Sequence, residues 1–199
     1  MSELVSNRYG KSKVRVVKIE RGGQKDYVFE VSADIKLEGD FVDTYLTGDN
    51  KNIVATDTMK NTVYYLAKHG LSSTQPLENF GQTIVQHFIK SYPVVSRVHS
   101  PDLFRQVTVD LTQDTWERIP GTDTQKSFTK SSNEKRTVSA SLDRQGTLKL
   151  VSGIKGLIVL KTSGSGFSGF PRCNLTTLPE VSDRLLCTSV TAFWTYGAG

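Results

Sequence analysis

Between residues 27 and 37 apolar side chains occupy every second position: Tyr27, Phe29, Val31, Ala33, Ile35 and Leu37, with mostly polar residues between them. A period of two places all six on one face of an extended chain, so a long strand with one buried side is expected here. VRVVKIE, at 14–20, reads as a preceding strand, and RGGQKD supplies the glycine-containing connection of a hairpin. The period then changes. Met59, Val63, Leu66 and Ala67 recur at helical spacing behind Thr56, Asp57 and Thr58, one of which is expected to cap the helix, and Gly70 closes it. Ser73, Thr74 and Pro76 announce a second helix with the stripe Leu77, Phe80, Ile84 and Phe88, ended by Pro93. Two further strands are expected around 94–99 and 104–119, followed by a polar loop over 120–133.

The order strand, strand, helix, helix, strand, strand predicts an α+β domain: an antiparallel β-sheet with both helices packed on one face. From residue 134 the strand pattern restarts with RTVSASLD and TLKLVSGIKGLIVLKTS. The chain is therefore divided into a complete first unit, 1–133, and a partial second unit, 134–199, that opens like the first with a hairpin. No helical pair follows in the second unit, so its apolar face is expected to lie uncovered and to favour aggregation.

Composition narrows the function classes. Hydrophobic residues make up 37% of the 199, enough for a sizeable core, and no apolar run approaches membrane-spanning length. The start, MSELVSNRYGKSK, lacks the apolar core and cleavage site of a secretory signal, which makes an intracellular setting with reduced Cys173 and Cys187 the expectation. In that setting the glycosylation match at Asn174 is idle. The net charge is +5, but Lys and Arg are scattered among Asp and Glu with no aromatic ladder. Nucleic acid is excluded on that footprint, and a small anion needing one or two placed cations fits better.

Little in the spacing names a chemistry. His69, His87 and His99 lack metal-ligand spacing, and there is no P-loop or nucleophile elbow. Gly164-x-Gly166-x-x-Gly169 follows the strand-like LIVLK and spells a dinucleotide fingerprint, but Pro171, Arg172, Cys173 and Asn174 come next where a helix should open. A loop of small residues that projects Phe167 or Phe170 is the better account. Lys11 and Arg184, taken alone, read as solvated surface cations. Thr56, Asp57 and Thr58 exceed what one cap needs, and a helix start also presents free N–H groups to an anionic ligand.

Several segments together resemble the urate oxidase (uricase) family: YGK at 9–11, GDN at 48–50, VATDTMKNTVY at 54–64, HF at 87–88, SGIKGLIVLKTSGSGFSGF at 152–170 and TTLPEVSDRLL at 176–186. The resemblance is weaker over 93–130, which lacks the histidine pair often found before the SF at 127–128. It implies the tunnelling fold, paired β-β-α-α-β-β units assembled as a homotetramer around a channel, with active sites at subunit interfaces. It also implies oxidation of urate by O₂ and water to 5-hydroxyisourate and hydrogen peroxide, with no metal or organic cofactor. Lys11 and Thr56 match the family's proton-relay pair. Asp57 follows in the turn whose backbone N–H groups meet the substrate. Phe167 matches the ring that stacks on the purine, and Arg184 the arginine that grips its pyrimidine side. In the family the first three face Phe167 and Arg184 of a neighbouring subunit. The relay histidine, and the glutamine and asparagine that complete the pocket, are expected beyond residue 199. Family members are peroxisomal in eukaryotes and cytoplasmic in bacteria.

These residue types suit urate, a flat anion with alternating N–H and C=O groups. A planar guanidinium makes two parallel hydrogen bonds to such an edge, where a lysine offers a point charge. Two rivals stay open beside the enzyme: a purine- or pterin-binding protein of the same fold that performs no oxidation, and a non-catalytic fragment that needs a complementing piece.

Overall fold

The structure, a computed structural model, describes residues 6–22, 25–39, 41–92, 106–121, 126–130 and 132–196. Two long strands open the chain, β1 (Tyr9–Gly22) and β2 (Lys25–Leu37), followed by a single-turn helix α1 (Val42–Leu46) and the two main helices α2 (Thr56–Gly70) and α3 (Leu77–Ser91). Then come β3 (Gln106–Asp114), the two-residue strands β4 (Glu117–Arg118) and β5 (Phe128–Thr129), β6 (Lys135–Asp143), β7 (Leu148–Lys161) and β8 (Leu186–Thr195). Six strands form one antiparallel sheet in the order β1-β2-β3-β6-β7-β8, while β4 and β5 pair separately.

Register turns the alternating sequence into rows of apolar contact. Val14 pairs with Ala33, Ala33 with Leu111 and Leu111 with Val138; the next row runs Ile35, Val109, Ala140, and the next Leu37, Val107, Leu142. All of these are buried, and α2 and α3 lie over them. Met59, Val63 and Ala67 of α2 and Phe80, Ile84, Val85 and Phe88 of α3 fill the space between the layers. A fully buried Leu, Ile or Phe contributes roughly 1.5–3 kcal/mol, so the helices are held by these stripes rather than by propensity. Gly81 sets how closely α3 approaches: a Cβ there would come within 3.2 Å of Ala140 Cβ and 3.3 Å of Val138 Cγ1. At the far end of α2, Lys18 Nζ donates to the carbonyl oxygens of Ala67 at 3.1 Å, Lys68 at 3.0 Å and Leu71. A cation there satisfies orphan carbonyls and complements the helix dipole.

The structure departs from the expectations in places. Ala55, not a polar residue, is the N-cap of α2, and no side-chain cap bond forms; Thr56 is the first helical residue. The strand expected over 104–119 is β3 alone, with 117–118 belonging to the small separate ladder, and the loop over 120–133 contains β5. The strand expected at 94–99 lies outside the described residues. The sheet also runs through the boundary at 133/134, and α3 packs on β6 beyond it as well as on β3. Past β6 the cover thins to the start of α3, where Glu78 accepts from the Ser152 hydroxyl on β7. On the last two strands Ile158 is 69% exposed, Leu160 60% and Phe193 56%; the register sets all three on the sheet face opposite the helices, whereas the helix-side row continues through Ser152 and Trp194.

On the sheet's other face, Glu30 and Asp114 sit opposite one another on β2 and β3. Glu30 is only 5% exposed; it pairs with Arg15, accepts a bond from Trp116 Nε1 at 3.0 Å, and lies 3.5 Å from Lys130 Nζ. Asp114 Oδ1 is 3.0 Å from Lys130 Nζ and 3.2 Å from Lys135 Nζ, contacts that are ionic and off the directions of a well-formed hydrogen bond. Burial alone would raise both carboxyls. Arg15, Trp116 and Lys130 at Glu30, and Lys130 and Lys135 at Asp114, outweigh it and hold both below the usual carboxylate range. The folded state thus binds fewer protons than the unfolded chain, so this stabilisation is complete above the unfolded carboxylate values near ~4 and is lost as pH falls through the folded ones. Urea-denaturation midpoints should therefore drop on acidification, and Glu30→Gln with Asp114→Asn should flatten that slope while lowering stability at neutral pH; an unchanged slope would contradict the pairing.

Candidate functional site

Lys11 lies on β1, the edge strand, beside an irregularity. The β1–β2 register shifts between Lys11 and Val14, and Lys13 takes a φ of 57° within the bulge. That left-handed conformation costs a non-glycine residue roughly 1–2 kcal/mol. The Lys13 N–H freed by the bulge donates to Asp34 Oδ1 at 2.6 Å, which gives the bulge a partner across the ladder. Bulges re-aim side chains, and this one directly follows Lys11. On its other side Gly10 is required by crowding, because a Cβ there would collide with the Ile35 carbonyl oxygen. The Lys11 side chain is exposed and makes no hydrogen bond or ion pair among the described residues.

Thr56 and Asp57 occupy the first turn of α2, which packs on β1. With no side chain capping the helix, its first N–H groups stay available. Asp57 is turned back along its own helix: Oδ1 accepts from Lys60 Nζ at 2.6 Å and Oδ2 from Asn61 Nδ2 at 2.8 Å. The Lys60 ammonium, with smaller contributions from Asn61 and from the Lys11 charge, holds its carboxyl below the usual range. The Thr56 hydroxyl is exposed and unbonded among the described residues.

Phe167 and Arg184 meet at the other edge of the sheet, in the long connection between β7 and β8. Phe167 and Val181 form an isolated antiparallel bridge, with N–H···O distances of 2.8 and 3.0 Å. Asp183 Oδ1 accepts from the N–H groups of Gly164 at 2.6 Å and Ser165 at 3.3 Å, and Glu180 Oε1 accepts from the Gly169 N–H at 3.3 Å. These bonds close the connection on itself without a helix, as the rejection of the dinucleotide fingerprint required. Phe170 stacks on Phe167 with ring centroids 4.8 Å apart and planes 8° from parallel. The Arg184 guanidinium lies 5.8 Å from the Phe167 ring centroid, and Phe167 remains 43% exposed. The product is a flat aromatic platform with a planar cation beside it.

The structure thus brings the five candidates together as two groups, not one. Lys11, Thr56 and Asp57 belong to the β1 edge; Phe167 and Arg184 belong to the β7–β8 edge. Four strand spacings separate β1 from β7, on the order of 19 Å. Residues that build these groups but escaped the sequence reading are Asp34, Tyr9 and Asp183, whereas Phe170 was already expected to project from its loop. Asp183 directly precedes Arg184 and Tyr9 lies two positions before Lys11, so adjacency was the one available signal.

A sequence model of the family described as Uricase matches residues 7–141 and 150–198. The chain is 39% identical to the uricase of Dictyostelium discoideum over 98% of its own length and 66% of that protein, and 42% identical to uricase-2 of Phaseolus vulgaris over 95% and 59%. In structure it is similar to the uricase of Arthrobacter globiformis, with a TM-score of 0.75 and 36% identity over 100% of this chain and 64% of that one. The architecture, an antiparallel sheet with helices on one face, is the tunnelling fold of those enzymes. The chain spans about three fifths to two thirds of the length of these relatives. Among the described residues no helix is long and apolar enough to cross a membrane.

For the bulge, Lys13→Gly should raise stability by about 0.5–1 kcal/mol through relief of the left-handed lysine, while Asp34→Ala should lower it by about 1 kcal/mol. Chemical denaturation of the two variants checks both signs; a destabilising Lys13→Gly would contradict the strain.

Proposed function

The chain belongs to the uricase family, and from that premise we propose that it carries out, or contributes the matching part of, cofactor-independent oxidation of urate by O₂. The reaction balances as urate, O₂ and water giving 5-hydroxyisourate and hydrogen peroxide. The observation that carries the reading is the Phe167–Arg184 platform: an exposed ring for stacking with a guanidinium beside it and no carboxylate pairing that guanidinium among the described residues.

Stacking on Phe167 fixes the plane of a flat heterocycle through offset ring contact. Arg184 then meets its N–H/C=O edge with paired donors and opposes the anionic charge. Acting as a base, Lys11 draws a proton through the Thr56 hydroxyl, and the N–H groups at the start of α2 stabilise the developing negative charge. The urate dianion is itself the electron donor to O₂, so the protein's work is to position, deprotonate and shield it. Two electrons pass to O₂, which leaves as peroxide with two protons, and water adds to the oxidised ring carbon.

Since the two groups sit on opposite edges of one sheet, each site is completed by two copies of the chain, in a homotetramer with sites at its interfaces. The substrate pair is urate and O₂, and the setting is peroxisomal for a eukaryotic source and cytoplasmic for a bacterial one. Division into units 1–133 and 134–199 remains part of the same proposal. A protein of this fold that holds a purine or pterin without oxidising it is the rival, and the Lys11–Thr56 pair argues against it, since binding alone has no use for a relay.

The test follows the loss of urate's ultraviolet absorbance and the appearance of peroxide, with a metal chelator present. Turnover should occur and should fall by roughly 100-fold or more in Lys11→Met and Thr56→Ala. Urate binding without turnover would assign the chain to the rival reading; neither binding nor oligomer formation would mark it as a non-catalytic fragment.

A further inference from the structure

We infer that Tyr9 is a positioning residue for the Lys11–Thr56 pair, its hydroxyl latching the segment that leads into α2 onto the strand that carries Lys11. The inference rests on the reaction proposed above. The Tyr9 hydroxyl donates to the Val54 carbonyl oxygen at 2.9 Å and accepts from the Val54 N–H at 2.8 Å. One oxygen thus engages both polar groups of a single residue, fixing its orientation as well as its distance. Val54 is buried and lies two positions before Thr56.

Three further observations make this contact matter. The start of α2 has no cap of its own, because Ala55 offers no side-chain acceptor, so the latch does the placing that a cap would do. Tyr9 itself is held: its ring meets Phe41 edge-on at 4.7 Å, and Gly10 seats the strand tightly against the Ile35 carbonyl. Burial above all pushes the Tyr9 phenol up to about 12, so the hydroxyl is present to give and to take at any working pH. Lys11 then follows two residues along the same strand. The phenol contact therefore sets where the Thr56 hydroxyl stands relative to the Lys11 amine, and relay between two groups is sensitive to misplacement by an ångström.

Tyr9→Phe tests this, because it keeps the ring on Phe41 and deletes both bonds. Lys18→Met is the control: it unseats the far end of the same helix without touching the relay. Urate turnover per folded chain, KM and amide exchange over residues 54–59 are measured for both and for wild type. The latch requires kcat of Tyr9→Phe to fall ~10–100-fold with KM within about twofold, and exchange over 54–59 to quicken, while Lys18→Met keeps the wild-type kcat. Wild-type kcat in Tyr9→Phe, or a loss no greater than that of Lys18→Met, would overturn the latch alone if Lys11→Met still abolishes turnover. No turnover by wild type would overturn the assigned reaction, and the positioning role with it.

Discussion

Val14 and Val16 on β1 and Met59, Val63 and Ala67 on α2 belong to one buried cluster, and their packing decides where the first turn of α2 can stand. Both ends of the helix are then pinned to the same strand by polar contacts: Tyr9 holds the entry through Val54, and Lys18 holds the exit through three carbonyls. Between those points β1 departs from regular pairing at its bulge, immediately after Lys11. A rigid element thus carries a deliberate irregularity where the chemistry is proposed. Lys13 pays for that irregularity in backbone strain, and Asp34 steadies it.

The opposite edge solves a different problem. A ring and a guanidinium that are to meet a ligand must be held without a helix or a core beneath them. The β7–β8 connection does so by closing on itself, with the Phe167–Val181 bridge across its middle and Asp183 collecting two backbone N–H groups. Phe170 backs one face of Phe167, which confines that ring to a single plane. The amine and hydroxyl stand at one edge of the sheet and the platform at the other. Under the proposed function the two halves complete one another between copies of the chain.

Much of this was legible along the chain, and the exceptions share a cause. The alternation over 27–37 gave β2 because one face of that strand is buried along its length, and Leu77, Phe80, Ile84 and Phe88 gave α3 for the equivalent helical reason. Periodicity reports local burial. It is silent on contacts made across the sequence, such as the Tyr9 hydroxyl with a backbone group 45 residues away. The cap of α2 was expected at Thr56, Asp57 or Thr58, whereas the chain enters the helix one residue earlier, at Ala55, with the preceding Val54 held by the Tyr9 hydroxyl. The bulge left no mark because its left-handed position holds a lysine rather than a glycine. The two-residue strands β4 and β5 were too short to show a period at all. As for the candidate residues, their types came from resemblance, and their grouping onto two edges came from the topology.

The claim that the two edges complete one another is tested most directly by mixing two defective chains. Lys11→Met disables one half-site and Arg184→Gln the other, so each alone should be inactive. Co-refolded in equal amounts, they should assemble into hybrids in which about a quarter of the sites draw both intact halves, one from each parent, and urate oxidation should return to that level. Mixed oligomers that form yet stay as inactive as either parent would contradict the account.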